Sequence, residues 1–215
     1  MLTLPGLVAV PLAACSRGGD EDVGAVEDLM REHGILRRAI IVFRECAARL
    51  DARQFVDANA LHRTAQLFRD FGQNYHEKLE EENIFPELRK AGGEAGAMVQ
   101  VLIEQHNRGR EIVNYLLSTT RGTVLRGPDL VAPLIALELM YANHTAREDT
   151  IIFPAWKKAI GTHAVGEMGD KFEEREKKQF GGDGFDMAVK QIGEIERTLG
   201  LTNLALFTAP PPPPV

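Results

Sequence analysis

Residues 76–86 read HEKLEEENIFP, and residues 144–154 read HTAREDTIIFP. In each, a glutamate follows the histidine by four residues and Phe-Pro closes the stretch, as Phe85-Pro86 and Phe153-Pro154. Four residues make slightly more than one helical turn. His76 with Glu80, and His144 with Glu148, therefore set an imidazole and a carboxylate on one face of a helix. A weaker match precedes each copy, Leu29-x3-His33 before the first and Leu102-x3-His106 before the second. The chain reads as a duplicated helical hairpin, each copy giving one lone histidine and one His-x3-Glu pair. Two such hairpins folded face to face create a pseudo-twofold site suited to two metal ions.

Apolar residues continue the pattern outward at alternating steps of three and four. The first stripe passes through Leu29, His33, Leu36, Ile40, Phe43, Ala47 and Leu50, and the second through Ala65, Phe68, Gly72, His76, Leu79 and Asn83. The third holds Val99, Leu102, His106, Gly109, Val113 and Leu116. The fourth holds Leu130, Leu134, Leu137, Tyr141, His144, Glu148, Ile151 and Ala155. Such spacing predicts four helices, each with one inward face. The breaks between them are short (Asp51 to Gln54, Gly92-Gly93, Gly122 to Pro128), which favours antiparallel neighbours. The expected fold is all-α: an antiparallel up-down-up-down four-helix bundle over residues 20–160. A helical extension is expected over 161–205, split by Gly181-Gly182-Asp183-Gly184, and residues 206–215 form a Pro-rich disordered tail.

Four of the six histidines, His33, His76, His106 and His144, fall on the inward stripes, one per helix. His62 shares its face with Gln66 and Arg69 and is expected to be exposed, and His163 follows Gly161-Thr162 at a helix junction. Titratable groups converging in an apolar core are costly unless paired. Bound cations remove that cost by turning imidazoles and carboxylates into ligands. With only Cys15 and Cys46 in the chain, a thiolate site is excluded. Imidazole and carboxylate together suit iron foremost, with manganese or zinc as alternatives. Two carboxylates able to bridge favour a dinuclear site. The competing reading is a metal-free polar network in which each His-x3-Glu pair is simply a hydrogen bond. Glu77 is a further candidate ligand, whereas Glu81 is expected to face solvent. HEKLE at 76–80 is not a zinc-protease motif, because Glu80 stands where that motif needs a second histidine. Phe85-Pro86 and Phe153-Pro154 read as packing and kink residues below the site.

The order His33, His76-x3-Glu80, His106, His144-x3-Glu148 resembles the hemerythrin-like, or HHE cation-binding, family over about residues 25 to 158. The resemblance implies an antiparallel four-helix bundle around two iron ions with an oxo or hydroxo bridge. Those six residues would be the ligands, with Glu80 and Glu148 bridging. Two positions depart from the oxygen-carrying members, which have a second histidine four residues after the third-helix one; here Arg110 stands there. Those members also place an aspartate five residues after the last histidine. Here that residue is Asp149, beside Glu148, so both remain candidates. The implied function is a di-iron protein that binds, senses or scavenges oxygen, nitric oxide or iron. One alternative is a di-iron enzyme reducing peroxide or nitric oxide; another is a metal-free structural or adaptor lipoprotein.

The chain carries a net charge of −6, with 44% hydrophobic and 26% charged residues, ordinary for a folded domain. Basic and acidic residues interleave, and no basic stripe suits nucleic acid. No apolar run approaches the roughly 20 residues of a membrane-spanning helix. Residues 1–19 stand apart. Met1 to Ala14 lacks charged side chains and runs into Leu12-Ala13-Ala14-Cys15, which resembles a bacterial lipoprotein signal followed by a short tether. The expected location is the bacterial cell envelope, lipid-anchored or periplasmic, with membrane attachment only through a lipidated Cys15. Cys15→Ser should then shift the protein from the membrane to the soluble fraction. If wild type and variant both fractionate as soluble protein with Met1 intact, the lipoprotein reading fails.

Overall fold

The computed structural model describes residues 24–122, 125 and 127–213. The expectations for residues 1–19, Cys15 among them, lie outside these. Among the described residues all regular structure is helical, and no helix is long and apolar enough to cross a membrane.

Helix α1 spans Ala25–Asp51, with Glu27 and Asp28 in its first turn and Arg49 in its last, the order that complements the helix dipole. Helix α2 occupies residues 58–91 and opens on Asp57, whose carboxylate accepts from the Ala60 amide at 2.8 Å. Gly92, with φ of 72°, ends it and leads directly into α3, Gly93–Thr119. Helix α4 occupies residues 127–160, beginning as Gly127–Arg147. Then follow α5, Thr162–Phe180, α6, Gly184–Leu199, and a single 3-10 turn, Leu204–Phe207.

Each of α1 to α4 packs on the next, and α4 packs most extensively on α1. Contacts at both ends fix the directions. Leu50 lies against Gly127 while His33 meets Asp149, so α1 and α4 run oppositely. Glu32 meets His76 and Phe43 meets Phe68, reversing α1 against α2. Glu81 meets His106 and Glu77 meets Arg110 across α2 and α3; Gln105 meets His144 and Tyr115 meets Asp129 across α3 and α4. Helices α5 and α6 cover the outer side of the α1 and α2 pair.

Helices α2 and α4 are not uniform. Both widen into π-helical turns, at Glu80–Ile84 and at Glu148–Ile152, and α2 has a longer π segment before them, Phe68–His76. Pro86 and Pro154 supply a cause for the later turns. Each lacks an N–H, and its ring would collide with the carbonyl four residues back in a regular helix. A wider turn moves that carbonyl aside. The extra residue also displaces the apolar stripe. The sequence placed Asn83, Ile151 and Ala155 on the inward faces, yet these are half-buried, and Ile84, Ile152 and Trp156, one residue further on, fill the core instead.

Apolar layers close both ends of the histidine level. Phe43, Phe68, Val113 and Leu137 lie on one side, and Ile84, Phe85, Phe153 and Trp156 on the other, all fully buried. Gly109 permits the close approach of α3 and α4: a Cβ there would stand 2.1 Å from the Tyr141 hydroxyl oxygen. Gly109→Ala should therefore lower stability by about 1–3 kcal/mol through overpacking. Gly166, in α5 with nothing near its missing Cβ, should gain roughly 0.5–1 kcal/mol on changing to Ala. Denaturant midpoints of the two variants would show the opposite signs.

Candidate metal centre

Histidines 33, 76, 106 and 144 reach the middle of the core from one helix each, with Glu80 and Glu148 between them. All six are at most 2% exposed. The inner ring nitrogens and the carboxylates face one another. His76 Nε2 lies 3.3 Å from Glu80 Oε1, and His106 Nε2 lies 3.4 Å from Glu80 Oε2. His33 Nε2 and His144 Nε2 lie 3.4 and 3.0 Å from the same oxygen, Glu148 Oε2. Two donor groups emerge that share one carboxylate: His33, His76 and Glu80, and Glu80, His106, His144 and Glu148.

The outer nitrogens fix how these rings are set. His33 Nδ1 lies 2.6 Å from Asp149 and His76 Nδ1 2.6 Å from Glu32. His106 Nδ1 lies 3.0 Å from Glu81, and His144 Nδ1 lies 2.9 Å from the side-chain oxygen Oε1 of Gln105. Donation outward to these acceptors leaves the Nε2 lone pairs pointing into the centre, the tautomer a metal-binding histidine requires. The halves match in detail. Arg37 backs Asp149 as Arg110 backs Glu81, and Phe153 stacks on His33 as Phe85 stacks on His106. They differ where Glu32 in one half corresponds to the neutral Gln105 in the other.

Such an interior demands positive charge. Among the described residues, six of the nine buried side-chain polar atoms without a hydrogen-bond partner belong here: Nε2 of His33 and His76 and all four oxygens of Glu80 and Glu148. His106 Nε2 and His144 Nε2 face each other at 3.0 Å, two lone pairs that repel unless a proton or metal ion intervenes. Burial would push the His76 imidazole down, but Glu80 and Glu32 outweigh it and hold the group well above its usual range. His106 rises to about 10 in the same way, burial being overcome by Glu77, Glu80 and Glu81. Against burial, His76 and His106 hold Glu80 well below the carboxylate range. The donor set, its convergence and its charge fit a pair of cations.

The structure thus brings together the six residues singled out by spacing. Asp149 does not enter the centre but accepts from His33 on its outer side. Glu77 is buried on the outer side of His106, where with Glu81 and His106 it makes a third, smaller donor group; its Oε1 accepts from the Tyr141 hydroxyl at 2.5 Å and its Oε2 from Arg110 at 2.7 Å. Glu81 was expected in solvent and instead lies half-buried between His106, Arg110 and Lys78, which hold its carboxyl at about 2 against the effect of burial. His62 is half-buried rather than exposed, because the start of α2 passes the end of α3 and sets Nδ1 2.8 Å from the Thr120 hydroxyl. His163 is exposed. Glu32 and Gln105 were missed. Each adjoins an inward histidine in sequence, His33 and His106, and that adjacency was the available clue.

An all-α protein with a buried His and Glu centre for cations is the class that fold and site define. The hemerythrin HHE cation-binding domain matches residues 24–156, more than half of the chain, and the chain belongs to that family. Uncharacterized protein Rv1995 of Mycobacterium tuberculosis and uncharacterized protein Mb2018 of Mycobacterium bovis are each 38% identical to it over 190 residues, covering 86% of this chain and 74% of the relative. No solved structure matches the chain.

The difference between Glu148 and Asp149 is measurable. Glu148→Ala should remove bound metal, while Asp149→Asn should keep the stoichiometry and weaken affinity about 10–100-fold, the usual cost of losing an outer partner. His62→Ala should change neither. Loss of metal from Asp149→Asn equal to that from Glu148→Ala would place Asp149 in the coordination shell.

Proposed function

We propose that this protein is a non-haem di-iron protein that binds, senses or scavenges a small molecule such as oxygen or nitric oxide, or iron itself. Its first four helices form an antiparallel up-down-up-down bundle around the centre. The observation that carries the reading is the set of unpartnered donors in a dry core: Nε2 of His33 and His76, and the oxygens of Glu80 and Glu148, with no hydrogen-bond donor to answer them. His33 and His76 would hold one ion and His106 and His144 the other, with Glu80 common to both donor groups and Glu148 beside His144 and His33. Bound there, a ferrous pair would supply electrons and open coordination positions to a diatomic ligand.

The chain's own contribution is orientation and exclusion of water. Asp149, Glu32, Glu81 and Gln105 fix the imidazoles, and Phe85 and Phe153 seal the floor by stacking on His106 and His33. One feature favours a second reading, reduction of peroxide or nitric oxide. Tyr141, buried against His144, donates to Glu77, which meets the partly exposed Arg110. This hydrogen-bonded run ends at the Tyr141 phenol, whose ring rather than a hydrogen bond meets His144; a phenol packed beside the centre suits reductive chemistry, which needs electrons and protons, where simple binding needs neither. Turnover with an electron donor, lost in Tyr141→Phe while iron content holds, distinguishes the two readings. For location, the Leu12–Cys15 pattern supports a lipid anchor in the cell envelope, because acyl chains on Cys15 would suffice for attachment.

Aerobically purified protein should contain about two iron ions per chain, as di-iron bundles do, and absorb in the near ultraviolet. Elemental analysis with an optical spectrum tests this directly. Stoichiometric zinc without iron after expression in iron-replete medium would end the di-iron reading.

A further inference from the structure

One face of α4 is apolar where a solvated helix carries charge. Ile135 and Leu139 are 50% and 62% exposed, and they stand in a row with the exposed Ala132, Ala136, Ala142 and Ala146. Steps of three and four put these on one stripe about four turns, or roughly 21 Å, long. Asn143 is the one polar residue among them. The opposite face of the helix already sends Leu134, Leu137, Tyr141 and His144 into the core. A helix apolar on both faces is normally covered on both.

The internal repeat shows that this face is unusual. Matching the core-facing Leu134, Leu137 and Tyr141 of α4 to Ala65, Phe68 and Gly72 of α2 sets Ile135 at the place of Gln66 and Leu139 at the place of Asp70, so α4 is apolar where its counterpart is polar. The apolar residues that α2 does turn outward beside this face, Phe71 and Tyr75, are buried beneath the chain's own C-terminal helices: Phe180 of α5 packs on both, with ring centroids 6.0 and 5.3 Å away. Helix α6 lies along the beginning of α2. Within the described residues, nothing comparable lies on the outer face of α4.

We propose that this stripe is a self-association surface, on which α4 of a second copy packs antiparallel about a twofold axis. Charge at the two ends selects that occupant. Asp129 lies in the first turn of α4 and Arg147 in the last turn before the helix widens, and both are exposed. At about 100° per residue the two fall on the same flank of the stripe. An antiparallel twofold partner therefore sets Arg147 of the second copy opposite Asp129, and the reverse at the other end. Arg147 is engaged only with Asn143 of its own helix, so the pairing displaces no tertiary contact. A parallel arrangement would oppose like charges and align the helix dipoles unfavourably. Alanines along the row let the backbones approach closely, with Ile135 and Leu139 as the interlocking ridges.

Sedimentation equilibrium of the full chain should show a dimer of the 23.8 kDa subunit. Leu139→Lys should weaken self-association roughly ten-fold or more, as loss of a central contact does, with helix content and bound metal unchanged. Asp129→Arg should also weaken it, and Asp129→Arg combined with Arg147→Asp should restore it, an effect that general damage to the fold would not produce. A monomer at concentrations up to about 100 μM, where even weak specific dimers form, overturns the proposal. So does a dimer indifferent to Leu139→Lys, or a charge exchange that fails to restore association.

Discussion

Glu80 and Glu148 sit fully buried among four helices, and their oxygens meet imidazole nitrogens rather than ordinary hydrogen-bond donors. Carboxylates in such surroundings persist only beside positive charge, and the local structure follows from that requirement. The histidines need fixed tautomers, so each has an acceptor behind it. The acceptors are themselves charged in three cases, and two of these, Asp149 and Glu81, are in turn neutralised by Arg37 and Arg110. Charge therefore alternates outward from the centre to the surface. Phe85 and Phe153 keep water from entering beneath it, which strengthens every electrostatic interaction inside.

The acceptors also tie the helices together. Glu32 neighbours His33 in the chain but serves His76, and Gln105 neighbours His106 but serves His144. Glu81 follows Glu80 and serves His106, while Asp149 follows Glu148 and serves His33. Every outer partner thus adjoins one central residue along the chain and supports another on a different helix. A small rotation of any one of the four helices would disturb both an inner group and the orientation of a neighbour's imidazole, so the helices hold the site's geometry jointly.

This division explains what was legible in the sequence. Five of the six central residues were found because they lie on a stripe and Glu80 because it follows His76 by four residues, and both are properties of one helix alone. Four helices, their approximate limits and the two helices after Gly161 followed from the same periodicity and from glycine breaks. Glu32 and Gln105 were not found, and Asp149 was a candidate ligand rather than an outer acceptor, because these roles depend on how one helix faces another, which no single-helix pattern encodes. Glu81 and His62 were misplaced for the same reason: Arg110 and Thr120 meet them across a helix pair. The inward residues beyond each glutamate were misread for a different reason, the wide turn that shifts Asn83 to Ile84 and Ile151 to Ile152. The Pro86 and Pro154 rings marked where this happens, but only as kinks.

Those wide turns also set the symmetry of the two hairpins. A π turn holds one residue more than the α turn it replaces, so each acts as one extra residue in an otherwise regular helix. The turns at Glu80–Ile84 and Glu148–Ile152 occupy the same register in both hairpins and are followed by the same Phe-Pro, so beyond the centre the two halves stay in step. The Phe68–His76 segment has no counterpart in α4, so ahead of the centre the two helices turn different residues toward the core and toward their neighbours.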